Sequence, residues 1–82
     1  MDSDLLAHLD KIRSTELGIE RIRRNFCLDS VDVIAWCKTK IENANQIIRK
    51  GKNYYVYTEN IVITINAHSF TIITAHIDKG SR

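Results

Sequence analysis

The sequence predicts an α+β domain: three N-terminal helices packed on one face of a C-terminal antiparallel sheet of three or four strands. Two observations lead to this fold class. Apolar residues recur with a helical period up to about residue 43, and from about residue 46 they follow the two-residue period of strands. The chain has 82 residues and no proline, so we expect one domain over residues 1–82, with the helical layer at about 3–43 and the sheet at about 46–77.

The helical half divides into three amphipathic segments. The first is predicted over residues 3–14, where the apolar side chains share one helical face. Thr15 is a suitable N-cap for a second helix, and Asn25 can end it in the left-handed conformation. The third helix ends around Asn43. Its buried stripe consists of Val33, Ile34, Cys37 and Ile41.

The sheet half begins with two strands, Gln46–Arg49 and Tyr54–Thr58, joined by a turn that contains Gly51. A hairpin follows from Asn60 to His76. A loop of two or four residues places its strongest apolar side chains on one face, which normally fixes register. The pairs are then Ile65 with Phe70, Ile63 with Ile72, and Ile61 with Thr74. This register also places Thr74 and His76 on the face that meets the helices.

Charge and hydropathy restrict the class of protein. The net charge of +2 is too small to indicate a nucleic-acid binder by itself, although residues 21–53 carry eight bases against three acids. No apolar run approaches the 18 or so residues of a membrane span. The acidic start, residues 1–4, is unlike a secretory signal or a transit peptide. We therefore expect a cytoplasmic protein that does not bind a membrane.

Metal binding is one chemistry that the sequence permits. Cys37 lies on the buried stripe of the third helix, His76 is expected to face that helix, and Cys27 enters the same layer. Thiolate and imidazole are ligands of zinc, but a structural site needs four ligands, and no Cys-x-x-Cys pair is present. The alternative is a thiol and a histidine that are satisfied independently in the core.

Acid–base cleavage of RNA is a second alternative. A base, an acid and phosphate-binding groups are available from His68, His76, Thr74 and Lys52. The closing strands also resemble those of the barnase/colicin/RelE-like ribonuclease toxins, which implies a small metal-independent ribonuclease. Against this, eight residues of extended chain separate the two histidines by on the order of 25 Å, too far to share one scissile bond.

A basic, aromatic surface is the third candidate site. Its residues are Arg49, Lys50, Lys52, Tyr54, Tyr55 and Tyr57. Cations beside stacking rings bind single-stranded nucleic acid. Tyr and Arg are equally the usual anchors of a protein interface. A third alternative is a solvated turn followed by a strand with one tyrosine face buried.

Three runs of the chain carry a family resemblance: Thr15–Asn25, Val33–Lys38 and Asn66–His76. They are similar to a family of small bacterial and mobile-element proteins catalogued as a domain of unknown function, over about residues 3–77. The resemblance implies a compact stand-alone domain. It also implies Cys37 and His76 as the positions of a metal pair, whereas Cys27 departs from the family pattern.

The small size and the lack of a catalytic signature also resemble the phage-borne anti-CRISPR proteins. That resemblance implies a non-enzymatic inhibitor with a protein partner, a larger nuclease such as Cas9. A structural zinc at Cys37, His76 and Cys27 that joins the helix layer to the sheet is compatible with this function. The ribonuclease toxin is the alternative function. An unpaired edge strand at Gln46–Arg49 or Ile73–Ile77 favours a homodimer.

Overall fold

The structure is a computed structural model that describes residues 3–28 and 32–77. Along the chain lie α1 (Ser3–Ala7), a 3-10 turn (Leu9–Lys11), β1 (Arg13–Ser14), α2 (Glu16–Phe26), α3 (Val33–Glu42), β2 (Gln46–Lys50), β3 (Asn53–Thr58), β4 (Ile61–Asn66) and β5 (Thr71–Ile77). The strands form one sheet in the order β1-β5-β4-β3-β2. The α+β class is confirmed. None of the described helices is long and apolar enough to cross a bilayer.

The sheet has five strands instead of the three or four predicted. The additional strand is β1, which forms because the first helix is shorter than its apolar pattern indicates. Helical structure gives way at Ile12, whose backbone is extended (ψ 133°). The amide of Arg13 then donates to the carbonyl of Phe70 at 3.0 Å, and β1 pairs in parallel with β5. The sheet is therefore mixed, and one of its strands precedes α2. Pairing with a distant strand decides the conformation here, so the local apolar spacing could not predict it.

The second helix begins where the sequence predicts. The hydroxyl of Thr15 accepts a hydrogen bond from the amide of Gly18 at 3.0 Å, as an N-cap does. The predicted end at Asn25 is wrong, since Cys27 takes the left-handed conformation (φ 56°). Asn25 instead donates from its side-chain amide to the carbonyl of Ala75 at 3.0 Å, which ties α2 to β5.

The predicted register of the β4–β5 hairpin is also wrong. Ile65 pairs with Ile72 instead of Phe70, because β4 ends at Asn66 and β5 begins only at Thr71. Ile63 pairs with Ala75, because a β-bulge between these two pairs gives β5 one further residue. The core positions of β5 are consequently three residues apart. Beyond the bulge, Thr74 pairs with Thr64 and His76 with Val62, positions that alternate with the core residues of β4. His76 therefore does not face the third helix.

The helices and one face of the sheet enclose a single buried cluster. It comprises Leu5, Ile12, Ile22, Val33, Cys37, Ile41, Tyr54, Val56, Ile61, Ile63, Ile65, Ile72 and Ala75. The predicted stripe of α3 is confirmed for Val33, Cys37 and Ile41. All three α-helices of the described chain send buried residues into this cluster, and the opposite face of the sheet contributes none.

Candidate functional site

The sheet face turned away from the helices, called the open face below, is made of cross-strand rows. One row runs Gln46, Tyr57, Val62, His76, and the next runs Ile48, Tyr55, Thr64, Thr74. The pair Lys50 and Asn53 extends the face toward the β2–β3 turn. We define the open face as these ten residues. None of them belongs to the buried cluster between sheet and helices.

Two tyrosines dominate the open face. Tyr55 and Tyr57 are half-buried on β3 and lie roughly 7 Å apart along the strand. Val62 and Thr64, on the next strand, are only 7% and 8% exposed. Larger residues flank Val62 on both sides, namely Tyr57 and His76. Small side chains on β4 therefore lie beside the two aromatic rings of β3.

The charge of the open face is positive. Of the open-face residues, none is Asp or Glu, and Lys50 is exposed. Lys52 is exposed in the adjoining turn. The one carboxylate between residues 46 and 77 is Glu59. It lies in the β3–β4 turn and forms an ion pair with Lys40 of α3 at 3.3 Å.

A concave feature, called the loop cleft below, lies at one end of the sheet. Its volume is about 520 Å³, and it is lined by Asp10, Lys11, Ile12, Arg13, His68, Ser69 and Phe70. The amide of Ala67 donates to the carbonyl of Lys52 at 2.8 Å, so the β4–β5 loop lies against the β2–β3 turn. The loop cleft and the β2–β3 turn, which carries Lys52, therefore lie at the same end of the sheet.

Internal hydrogen bonds hold the wall of the loop cleft. The side-chain oxygen of Asn66 accepts from the amides of His68 at 2.9 Å and Ser69 at 3.0 Å. Phe70 closes the loop in the left-handed conformation (φ 56°), which is uncommon for a residue with a large side chain. The ring of His8 stacks on Phe70 with 5.1 Å between ring centroids. These contacts fix the shape of the cleft.

The sequence profile of a family described as "Protein of unknown function (DUF3781)" matches residues 6–76. The chain belongs to this family. The predicted resemblance to a domain of unknown function is thereby confirmed. The matched range runs from α1 into β5, so the open face and the loop cleft both lie within the DUF3781 domain. Neither the curated proteins nor the solved structures gave a match.

The predicted basic, aromatic surface of this DUF3781 domain is divided between two faces. Tyr55 and Tyr57 lie on the open face, with Lys50. Tyr54 is 3% exposed and belongs to the core, so its inclusion in the surface is wrong. The guanidinium of Arg49 lies over the ring of Tyr54, 5.5 Å from its centroid. Strand alternation separates Tyr54 from its two neighbours.

The four residues of the predicted ribonuclease site fall into two pairs. Lys52 adjoins the loop that carries His68, while Thr74 and His76 lie on the open face. His76 pairs with Val62, whereas His68 lies in the loop that follows the end of β4 at Asn66. Along β4, the distance from Val62 to Asn66 alone is about 13 Å. The structure therefore does not bring the two histidines together. The ribonuclease stays an alternative hypothesis.

The three predicted metal ligands are spread across the molecule. Cys37 is buried in the core, Cys27 is exposed, and His76 lies on the other side of the sheet from Cys37. Across residues 3–28 and 32–77, no three His, Cys, Asp or Glu side chains form a group able to hold a metal. Burial also raises the pKa of the Cys37 thiol from 9.0 to about 12, which disfavours the thiolate form that binds zinc. A structural zinc stays a prediction from sequence alone.

Sequence reasoning missed residues of both sites. Ile48 and Thr64 of the open face follow from the two-residue alternation that already places Tyr55 and Tyr57 together. Lys11 and Arg13 of the loop cleft have no such local signal. They reach it because β1 pairs with β5, more than 50 residues later in the chain.

Proposed function

We propose that this chain is a non-enzymatic binding protein that holds single-stranded nucleic acid on its open face. One observation carries the proposal: Tyr55 and Tyr57 stand two residues apart on a face that none of the described helices covers, and the face has one exposed lysine and no carboxylate. Aromatic rings stack on bases of any sequence, and cations attract the phosphates between them. Successive bases of an extended strand can each stack on one ring.

The polar residues around the two rings support nucleic acid over protein as the partner. Lysine is depleted in protein interfaces, whereas Lys50 and Lys52 border this face. Gln46, Asn53 and Thr74 offer hydrogen bonds to base edges. Stacking of unpaired bases on sheet aromatics is an established mode of RNA recognition. Bases inside a duplex are not available for it, so we expect a preference for single strands.

The first prediction concerns the tyrosine rings. Fluorescence anisotropy with labelled DNA and RNA single strands of roughly 12 nucleotides measures the dissociation constant directly. We expect Tyr55→Ala and Tyr57→Ala each to weaken binding by about 1–3 kcal/mol, the usual value of one base–ring stack. Thermal unfolding of each variant checks that the fold is kept.

Tyr55→Phe is the matched control, because it keeps the ring and removes only the hydroxyl. It should bind as the unmodified chain does. Absence of binding to DNA and RNA at low salt would refute the proposed function. Equal binding by Tyr55→Ala and Tyr55→Phe would show that the strand lies elsewhere.

A second candidate function is the non-enzymatic inhibitor that binds a larger nuclease, and Ile48 is the observation that favours it. This residue is 37% exposed on the open face, next to Tyr55. Tyrosine is a usual anchor of protein interfaces, and an exposed apolar side chain beside it extends the apolar surface that a partner can cover. The second prediction is that the chain blocks cleavage by a Cas9–guide complex and that Ile48→Ser restores cleavage. Leu17→Ser is the matched control, because Leu17 is 68% exposed on α2, in the helical layer. Undiminished cleavage at excess chain would exclude this partner.

A further inference from the structure

We propose that the loop cleft is a second binding site, which takes a phosphate group. On a single strand this would be a backbone phosphate beyond the bases that stack on the open face, and that part of the inference rests on the proposed function. The cleft itself does not depend on the tyrosines. Its residues come from the 3-10 turn, β1 and the β4–β5 loop, and none is part of the open face.

The charge of the cleft is the first reason for this assignment. Lys11 and Arg13 line it together with the imidazole of His68. The two cations lie more than 50 residues before His68 in the chain, and they outnumber the one carboxylate that lines the cleft in the described chain, which gives a local excess of positive charge. Arg13 provides a planar fork of donors that matches the oxygens of a phosphate.

The rigidity of the cleft is the second reason. The side-chain Nε of Arg13 donates to the carbonyl of Ser69 at 3.4 Å, and the Arg13 amide donates to Phe70 at 3.0 Å. The guanidinium therefore already lies beside the loop in the free chain. A pre-organised site loses less side-chain entropy on binding than a flexible one. The left-handed Phe70 is a backbone outlier in the same wall, and such outliers concentrate at ligand sites.

The position of the cleft connects it to the open face. Lys52 lies between the two sites, because its carbonyl accepts from the amide of Ala67 in the β4–β5 loop. The basic residues of this end thus extend from β2 to β1, a width of roughly 19 Å at about 4.8 Å per strand spacing. A phosphate backbone that crosses this end would pass Lys52 on its way from the tyrosines to the cleft.

Asp10 is the one carboxylate among the described residues that line the cleft, and it opposes an anion. Its presence gives the proposal a gain-of-binding test. Asp10→Asn removes the negative charge at nearly constant volume. We expect it to tighten phosphate binding, whereas a cleft with no role in anion binding would not respond.

The third prediction uses inorganic phosphate as the probe, followed by two-dimensional amide NMR of the intact chain. We expect saturable shifts of the His68 and Ser69 amides, a several-fold weaker response in Lys11→Gln and Arg13→Gln, and a stronger one in Asp10→Asn. Arg21→Gln is the matched control, because Arg21 is exposed on α2 and does not line the cleft. Lys11→Gln disturbs none of the hydrogen bonds described above, so it decides the outcome if Arg13→Gln unfolds.

The same variants are then measured with the labelled single strand. Loss of one phosphate contact should lower the slope of log affinity against log salt by about 0.7, so Lys11→Gln should bind more weakly and with a flatter salt dependence. Absence of shifts at His68 and Ser69 with phosphate would refute the cleft site and leave the open face untouched. Phosphate binding without strand binding would refute the proposed function and keep the cleft as a site for free phosphate.

Discussion

The two cysteines show how far single residues of one type can differ. Cys27 is exposed at the end of α2, in the left-handed conformation. Cys37 is fully buried on α3 and packs in the core. Burial of a thiol penalises the thiolate, because the charged form loses its hydration. The buried side chain therefore behaves as a small apolar group.

The fourth prediction follows from the raised pKa of Cys37. The folded pKa is about 12 and the ordinary value is 9.0, so between these limits the unfolded chain releases a proton that the folded chain keeps. The contribution of this group is constant below pH 9. Above it, the free energy of unfolding falls by about 1.4 kcal/mol per pH unit. Cys37→Ala should remove this part of the pH dependence.

Urea unfolding of both chains at pH ~8 and ~10 measures the difference, and the comparison cancels the lysines and tyrosines that titrate in the same range. Identical pH dependence in the two chains would contradict the prediction. The experiment also bears on zinc. A metal bound to Cys37 holds the thiolate in the folded state and would abolish this pH dependence.

At the scale of elements, the contact between α2 and the sheet depends on Gly18. A Cβ at this position would lie 2.5 Å from the hydroxyl oxygen of Ser14 and 3.2 Å from that of Thr15. The Ser14 hydroxyl donates to the carbonyl of Ile72 at 3.3 Å, so it has little freedom to move away. Gly18 weakens the first turn of α2, but the close packing of this turn against β1 and β5 leaves no room for a larger residue.

The fifth prediction is a double-mutant cycle on this contact. Gly18→Ala gains about 1 kcal/mol of helix propensity, yet we expect it to destabilise the chain, because the new methyl group displaces the Ser14 hydroxyl. In a Ser14→Ala background the obstructing oxygen is gone, and Gly18→Ala should be neutral or stabilising. Chemical denaturation of the four chains measures the coupling. Equal effects in both backgrounds would show that Ser14 does not limit the approach.

At the scale of the whole molecule, the strand order brings basic residues together at one end of the sheet. The β2–β3 turn, the β4–β5 loop and the start of β1 meet there, and they carry Lys52, His68 and Arg13. At the other end the β3–β4 turn holds Glu59, paired with Lys40. The net charge is only +2, but the charges are distributed unevenly between the two ends of the sheet. This distribution favours an anionic ligand at one end of the open face.

The two free sheet edges also differ. β1 pairs only with Thr71 and Ile72, so the rest of this edge of β5 has no partner strand in the described chain. A hydrogen bond from the Asn25 side chain to the carbonyl of Ala75 connects this part of β5 to α2. The outer edge of β2 has no partner strand in the described chain, and its exposed side chains include Arg49 and Lys50. Charged side chains on an edge oppose pairing with a further strand. A homodimer through β2 stays a prediction.

Local chemistry in the sequence determined much of this fold. The change of period near residue 45 predicts the class. The side chain of Thr15 predicts the start of α2, and Gly51, with φ 63°, allows the β2–β3 turn. Alternation along β3 indicates that Tyr55 and Tyr57 share a face. Each signal depends on residues within one turn or one strand of each other, where side-chain period and backbone preference act directly.

Only the tertiary structure decided where distant residues meet. The pairing of Arg13 with Thr71 converts the end of a predicted helix into β1 and brings Lys11 to the loop cleft. The bulge in β5 sends His76 to the open face, away from Cys37. One extra residue in a strand moves every later side chain of that strand to the opposite face of the sheet. Loop geometry and long-range packing decide where such a bulge forms, and they leave no local pattern in the sequence.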